Sequence, residues 1–471
     1  MIYVHWIFFL LYAFIVIAAM VAVLMDNRQP AKTMAWILVL VFLPVVGFVL
    51  YFFFGQNTRK EKLISQQSMD QLTKRSMLGF AEQQNLVLPD EHSVLIKLFA
   101  SQNWALPFKN NETDIYTDGY GFFHALLRDI SQARHHIHLE TYIICDDSLG
   151  YLVSDALIAK AKEGVEVRFI YDDVGCWNVP NSFFERMRNA GIDVHAFMPV
   201  KFPAFTSKVN YRNHRKLCVI DGRVGFIGGM NIADRYVEGP GWGVWRDTHF
   251  RIEGRGVAGL QVSFLSDWSA TTKQHVSGEA YFPPTEHFTN NILQIVPGSP
   301  LGKWRTLLQA YSLAISRARH RIWIQTPYYL PPDVLNTALQ VAALAGIDVR
   351  LMLPARSDSK AIDYASHSYL DDMVKAGVKI LFYRPGFLHS KLLIVDDTLT
   401  VIGSANMDFR SFEHNFEVCG FVYDADFTAR MAAIFTDDAA QCTPLAPGKW
   451  FKRPRSHKFA ESFLRLCSPL M

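Results

Sequence analysis

Ile130-Ser-Gln-Ala-Arg-His-His-Ile-His-Leu-Glu-Thr-Tyr142 returns, lightly altered, as Ile315-Ser-Arg-Ala-Arg-His-Arg-Ile-Trp-Ile-Gln-Thr-Pro327. In each copy a helix end feeds a strand, and the match continues downstream. Helical stretches follow (Leu152 to Lys162, Val334 to Ala345), then the strands Val165-Glu-Val-Arg-Phe-Ile-Tyr171 and Ile347-Asp-Val-Arg-Leu-Met-Leu353. Further on, Ala190-Gly-Ile-Asp-Val-His-Ala-Phe-Met-Pro199 answers Ala376-Gly-Val-Lys-Ile-Leu-Phe-Tyr-Arg-Pro385. Strand, helix, strand, helix, strand is the pattern of an α/β layer domain, with largely parallel pairing expected. Two copies predict two tandem α/β/α sandwich domains related by a pseudo-two-fold axis.

Each repeat ends in a chemically loaded segment. The first reads Asn213-His-Arg-Lys-Leu-Cys-Val-Ile-Asp221 and the second Leu388-His-Ser-Lys-Leu-Leu-Ile-Val-Asp396. Both lead through a small-residue turn to an asparagine, in Ile227-Gly-Gly-Met-Asn231 and Ile402-Gly-Ser-Ala-Asn406. Asn231 lies as far beyond His214 as Asn406 lies beyond His389. One H-x-K-x4-D is weak evidence; two in the same register are strong. The candidate catalytic residues are therefore His214, Lys216, Asp221, His389, Lys391 and Asp396.

Apolar runs over Leu217 to Ile220 and Leu392 to Val395 predict strands, on which residues i and i+2 share a face. His and Lys of each motif then project together, while Asp221 and Asp396 project the other way and are expected to tie down the scaffold. An axis beside these strands would bring two histidines and two lysines to one point. The ammonium groups, with the amides of Asn231 and Asn406, form a clamp for a phosphate and its developing charge. One neutral imidazole can attack phosphorus while the other, protonated, supplies the leaving group's proton. With an unperturbed value of about 6.5, one charged and one neutral histidine are expected near neutrality. No metal is expected, because a lysine beside each histidine repels a cation. The run His135, His136, His138 reads as a strand edge, since its counterpart His320, Arg321, Trp323 keeps no ligand set.

The rest of the chain sets the context. Its 471 residues are 50% hydrophobic, yet the formal charge is only +3, so no global field points to nucleic acid. Six scattered cysteines without C-x-x-C spacing read as reduced thiols. Trp6 to Met25 and Thr33 to Gly55 carry no charged side chain, and each is about the twenty residues that cross a bilayer core. A cleaved signal peptide fits poorly, since no Lys or Arg precedes Trp6 and a second span follows. Arg28 and Lys32 between the spans are outnumbered by Arg59, Lys60, Lys62, Lys74 and Arg75 after them. The positive-inside rule puts both the N-terminus and the large C-terminal part in the cytoplasm. The expected domains are a transmembrane hairpin (1–56), a linker (57–110), two α/β domains (111–275 and 276–445) and a basic aromatic tail (446–471), read as touching anionic headgroups.

The paired motifs, with Gly403-Ser-Ala-Asn-Met-Asp-Phe-Arg-Ser411 and Asn415-Phe-Glu417, resemble the phospholipase D superfamily. Arg28-Gln-Pro30, Thr33-Met-Ala-Trp-Ile37, Leu43-Pro-Val-Val-Gly47, Gln325-Thr-Pro-Tyr-Tyr329 and Arg465-Leu-Cys-Ser-Pro-Leu470 are similar to bacterial cardiolipin synthases. The resemblance covers nearly the whole chain. It implies phospholipase D-like domains, no cofactor, and metal-independent transfer of a phosphatidyl group from one phosphatidylglycerol to another, giving cardiolipin and glycerol through a phosphohistidine. It also implies His214 as nucleophile, His389 as acid and then base, and Asp247 and Glu417 as the carboxylates that orient the imidazoles. The implied partners are anionic phospholipids (phosphatidylglycerol, cardiolipin), the implied location the bacterial inner membrane. Gly229 where the second copy has Ser404 is the one departure from symmetry. Competing readings are a hydrolytic phospholipase D, a transphosphatidylase with another donor or acceptor, a nuclease, and a silent membrane scaffold. The hairpin and the modest charge disfavour the nuclease, and two complete motifs disfavour the scaffold.

Overall fold

A computed structural model describes residues 2–25, 30–51, 86–103, 105–200, 210–284, 289 and 291–468. It divides into an N-terminal unit, Met1–Lys62 with Val200–Tyr211, and an α/β body, Leu63–Pro199 with Arg212–Met471.

In the N-terminal unit, the helix Ile2–Met25 has 24 residues and, at about 1.5 Å each, is long enough to cross a bilayer core. The second apolar stretch differs from expectation. It forms two helices, Pro30–Phe42 and Pro44–Leu50, parted at Leu43 (φ −127°, ψ 64°). Pro44 has no N–H, and its ring clashes with the carbonyl four residues back, so the ladder breaks there. Residues 52–55, Arg28, and the basic residues Arg59 to Arg75 lie outside the described residues. Ala19, Val23, Leu40 and Tyr51 are buried together, while Leu10, Phe14, Val45 and Val46 face outward.

In the body, the first repeat supplies β1 (Asn111–Tyr116), β2 (His136–Thr141), β3 (Glu166–Asp172), β4 (Asp193–Phe197), β5 (Arg212–Asn213), β6 (Leu217–Ile220), β7 (Val224–Gly228), β8 (Val244–Arg246) and β9 (His249–Gly254). The second supplies β10 (Ile292–Gly298), β11 (Arg321–Gln325), β12 (Tyr329–Leu330), β13 (Asp348–Pro354), β14 (Lys379–Tyr383), β15 (Gly386–Leu388), β16 (Leu392–Val395), β17 (Leu399–Gly403), β18 (Met407–Asp408), β19 (Asn415–Tyr423) and β20 (Cys442–Pro444). The sheet orders are β1-β9-β7-β6-β2-β3-β4 and β10-β19-β17-β16-β11-β13-β14-β20. Strand for strand, the second sheet repeats the first and adds β20. Helices cover the sheets: Gly119–Gln132, Ser148–Lys162 and Asn181–Asn189 pack with the first, and Thr306–Ser316, Asp333–Leu344 and Lys360–Lys375 with the second. Val257–Thr272 and Ala425–Ala440 also pack on these sheets, and Val257–Thr272 reaches β10 of the other repeat.

Three expectations need correction. Pairing is not largely parallel: among the described residues, along these two strand orders only β2-β3-β4 and β11-β13-β14 run parallel, and the neighbours on the β1 and β10 side are antiparallel. The tight turn at Asp221-Gly222 joins β6 to β7, and such a short link can only return the chain antiparallel. His136 and His138 do not lie on an edge, because β2 sits between β6 and β3. Both are fully buried against the helix Val257–Thr272; Gln261 bonds both rings, and Phe264 stacks on His138 at 4.4 Å. The supposed linker contributes to a core: in the helix Ser93–Asn103, Leu95, Ile96 and Phe99 pack among the buried residues of the second repeat. Gln294 ties this helix down, its Nε2 donating to the Ile96 carbonyl at 3.3 Å and, just past the helix, to the Ala105 carbonyl at 2.9 Å. The tail packs on the second repeat, where Trp450 Nε1 donates to Asp371 at 2.7 Å.

Candidate active site

Two very short strands create the site. β5 runs parallel to the start of β19, with Arg212 opposite Asn415 and Asn213 opposite Phe416. β8 runs parallel to β15, with Trp245 opposite Phe387 and Arg246 opposite Leu388. Both pairs join one repeat to the other. One step further along each register, His214 meets Glu417 and His389 meets Asp247. The His214 amide donates to the Phe416 carbonyl at 2.9 Å and the His389 amide to the Arg246 carbonyl at 2.7 Å, which fixes that step. Gly386 permits the close approach, since a Cβ there would lie 2.0 Å from the Val244 carbonyl oxygen. The H-x-K residues therefore lie just before β6 and β16, not on them as expected, and each imidazole takes its carboxylate from the opposite repeat.

His214 Nδ1 lies 3.0 and 3.1 Å from the Glu417 oxygens, and His389 Nδ1 lies 2.6 Å from Asp247 Oδ2. An ionised carboxylate only accepts, so each Nδ1 carries the proton and each Nε2 keeps its lone pair. Burial would raise both carboxyls, but for Asp247 the Lys391 and His389 groups, and for Glu417 the His214 and Lys216 groups, outweigh it and hold them below their ordinary values. Lys216 Nζ donates to the His214 carbonyl at 2.6 Å, and Lys391 Nζ donates to the His389 carbonyl. Each ammonium keeps further protons for a ligand.

The expectation of one charged histidine is not met. Burial, then the nearby lysines acting against the carboxylates, brings both His214 and His389 down to about 4, so both are neutral near pH 7. Burial also lowers Lys391 to about 8 and Lys216 well below its ordinary range.

Asp221 and Asp396 lie outside this cluster. Asp221 accepts the amides of Arg134, His135 and His136 at 2.8 to 2.9 Å, and Asp396 those of Arg319, His320 and Arg321 at 2.7 to 3.1 Å. Both adopt positive φ, 54° and 53°, a turn conformation that short polar side chains tolerate. Grouping them with the catalytic residues is corrected: each pins a strand start at the far end of β6 or β16. Asn231 and Asn406 are also partly committed. Asn231 accepts from the Ile143 amide at 3.0 Å and donates to Tyr236 Oη, and Asn406 Nδ2 donates to Asp408 at 3.0 Å. One N–H of each amide remains for a ligand.

Sequence reasoning missed several supporting groups. Arg215, the x of the first H-x-K, pairs with Asp267 of its own repeat and donates to the carbonyls of Glu417 (2.9 Å) and Gly298 (3.0 Å) in the other. Ser390 occupies the matching place, and there Arg246 does the comparable work. It binds the Asp247 carbonyl and reaches Asp438 of the second repeat at 2.6 Å. The charges at both x and the pre-carboxylate position were visible in the sequence, but their reach across the repeats was not. The Gly229/Ser404 asymmetry also has a physical origin. Ser404 Oγ donates to Glu417, whereas a Cβ on Gly229 would sit 2.0 Å from Asp247 Oδ1. The environments differ as well: Tyr142 stands 5.0 Å from the His214 ring, while Trp245 (5.2 Å) and Phe387 (5.6 Å) surround His389.

A family profile described as "Cardiolipin synthase, PLD-like domain" matches residues 126–241 and 311–439, one stretch in each repeat and together more than half of the chain. The chain belongs to the cardiolipin synthase family of the phospholipase D superfamily. A second profile, "Phospholipase_D-nuclease N-terminal", matches residues 13–56. Among curated relatives, cardiolipin synthase 2 of Bacillus anthracis is 42% identical over 457 residues, covering 95% of this chain and 88% of that protein. The major cardiolipin synthase ClsA of Bacillus subtilis is 37% identical and covers 97% of both chains. Among solved structures, a phosphatidylserine synthase of Haemophilus influenzae superposes with a TM-score of 0.60 over 80% of this chain and all of that one, at 16% identity, a likeness of fold. Membership of this family makes the chain a phosphatidyltransferase of the phospholipase D type.

Proposed function

We propose that this chain joins two phosphatidylglycerol molecules into cardiolipin and glycerol by two successive displacements at one phosphorus. The observation that carries this is the crossed pair of histidine–carboxylate couples beside two buried lysines. His214 Nε2 attacks the phosphodiester of the first lipid, forming a P–N bond. The bond to the glycerol headgroup oxygen breaks, and His389 gives that oxygen its proton. The terminal hydroxyl of a second phosphatidylglycerol then passes its proton to His389 and attacks phosphorus, and the P–N bond breaks. Lys216 and Lys391, with the remaining amide hydrogens of Asn231 and Asn406, hold the equatorial oxygens. His389 is neutral in the empty site, so it takes up a proton from solvent as substrate binds: an anionic phosphodiester beside it raises the imidazole's proton affinity. Glu417 and Asp247 orient the two rings. The same reading takes residues 1–56 as two membrane spans, with domains at 111–275 and 276–445 on the cytoplasmic side of the inner membrane, and has no role for nucleic acid.

Purified protein in mixed micelles is expected to convert phosphatidylglycerol to cardiolipin and free glycerol without added metal. Phosphatidic acid as the sole lipid product would replace transfer with hydrolysis.

The titrating groups set a pH profile. His214, lowered to about 4, loses its nucleophilic form only as pH falls through that value. Lys391, lowered to about 8, loses its charge as pH rises through 8. Because His389, lowered to about 4, must gain a proton on the way to the transition state, kcat/KM should fall gradually above about pH 4 and more steeply above about pH 8, which initial rates across pH will show. No steepening before the ordinary lysine value of 10.5 would contradict the clamp.

A further inference from the structure

The C-terminal helix Arg455–Arg465 is mounted inside out. Its inner face is mostly polar: Glu461, 3% exposed, pairs with Arg453 at 2.8 Å, and Arg453 also binds Asp371 at 3.0 Å. His457 packs its ring against Tyr364 of the helix Lys360–Lys375, and Arg465 stacks over Tyr369 at 4.8 Å. Leu464 is the apolar contact on this inner side. The outer face carries Phe459 (74% exposed), Phe463 (58%) and Leu466 (76%). Their spacing of four and then three residues is one stripe at a period of 3.6. A helix serving only to pad the domain would turn its phenylalanines inward.

The charge around the stripe selects the occupant. Arg455 shares its face one turn before Phe459, and Lys449, Lys452 and Arg455 are exposed. The only carboxylate between residues 447 and 468 is Glu461, which is buried and paired. An apolar stripe fringed by cations without competing anions complements an anionic bilayer surface, where rings enter the acyl boundary and ammonium groups stay at the phosphates. We infer that this helix is a membrane-docking surface for anionic lipid, apart from the N-terminal helices. The inference draws on the lipid-substrate reading only in taking a bilayer as the occupant.

The test uses the full chain carrying Phe463→Cys in nanodiscs of phosphatidylcholine alone or with part of it replaced by phosphatidylglycerol. An uncharged, water-soluble maleimide reports access to the thiol. Trypsin cleavage after Lys458 and Arg465 separates this cysteine from Cys467 for mass spectrometry. Alkylation should slow by about five-fold or more in the anionic discs, and the slowing should vanish when Lys452→Gln and Arg455→Gln are added. Asn189→Cys, at an exposed helix end of the first repeat, should react equally in both. Equal rates at Phe463→Cys, equal slowing at both sites, or slowing in detergent that grows with protein concentration (a second copy covering the stripe) would each overturn the inference. Cardiolipin production in the same anionic discs separates the two readings: turnover without protection removes the docking surface alone, and protection without turnover upholds it while removing the proposed reaction.

Discussion

His214→Asn and His389→Asn are each expected to lower turnover by about a thousand-fold or more, with the double variant no worse than the weaker single one. The reasoning starts from geometry. Asparagine keeps a donor close to Nδ1, so the contacts with Glu417 or Asp247 can persist and the fold should hold. What disappears is Nε2, the only atom of either ring left free by the carboxylate bonds. Without it at His214 there is no P–N bond, and without it at His389 a glycerol alkoxide must leave unprotonated. Because both rings serve one phosphate, neither loss is covered by the other. Rates with phosphatidylglycerol, with a melting curve for each variant, check this. Retention of about half the activity in each would mean two independent sites, one per repeat.

Glu417→Gln and Asp247→Asn are the second large pair, each expected to cost about 10² to 10⁴ in kcat. The amide is nearly the same size but can turn its NH2 toward Nδ1. That would drive the proton to Nε2 and remove the lone pair, and even in the accepting orientation it no longer steadies an imidazolium. The crossed pairing predicts how the two variants differ. With a headgroup that leaves easily, such as p-nitrophenol, acid assistance matters little. Asp247→Asn, which disturbs the acid His389, should recover much of its first-step rate, whereas Glu417→Gln, which disturbs the nucleophile His214, should not. Nitrophenol release rates decide this. Recovery by Glu417→Gln and not by Asp247→Asn would mean that each carboxylate serves the histidine of its own repeat.

The sequence already contained the two domains, because a repeat of helix-to-strand segments in fixed order has few structural solutions. It also contained the His and Lys residues, whose shared register repeated with Asn231 and Asn406. The alternation along the motif pointed Asp221 and Asp396 away from the His and Lys residues, but the motif itself still grouped them with the catalytic candidates. What lay beyond reach was the crossing. It depends on β5 and β8, strands of two and three residues that are too short to show any period. Arg215 and Arg246 were equally opaque, since their partners Asp267 and Asp438 sit on helices whose docking is a tertiary event. The antiparallel half of each sheet was closer to hand: Asp221-Gly222 is a turn signal between two apolar runs. The break at Pro44 was also in plain view, and the expectation of one continuous span gave it too little weight. Histidine charge states failed for a different reason. An unperturbed value says nothing of burial beside two lysines, and that burial is what brings both rings to about 4.

The account rests on one phosphate passing through one histidine, and rapid quenching under single-turnover conditions tests that most directly. Enzyme in excess over phosphatidylglycerol carrying a labelled headgroup should release glycerol and hold a phosphatidyl adduct on His214 and none on His389, and a chase of unlabelled phosphatidylglycerol should then discharge that adduct as cardiolipin forms. Glycerol and cardiolipin rising together, with both histidines unmodified throughout, would contradict it.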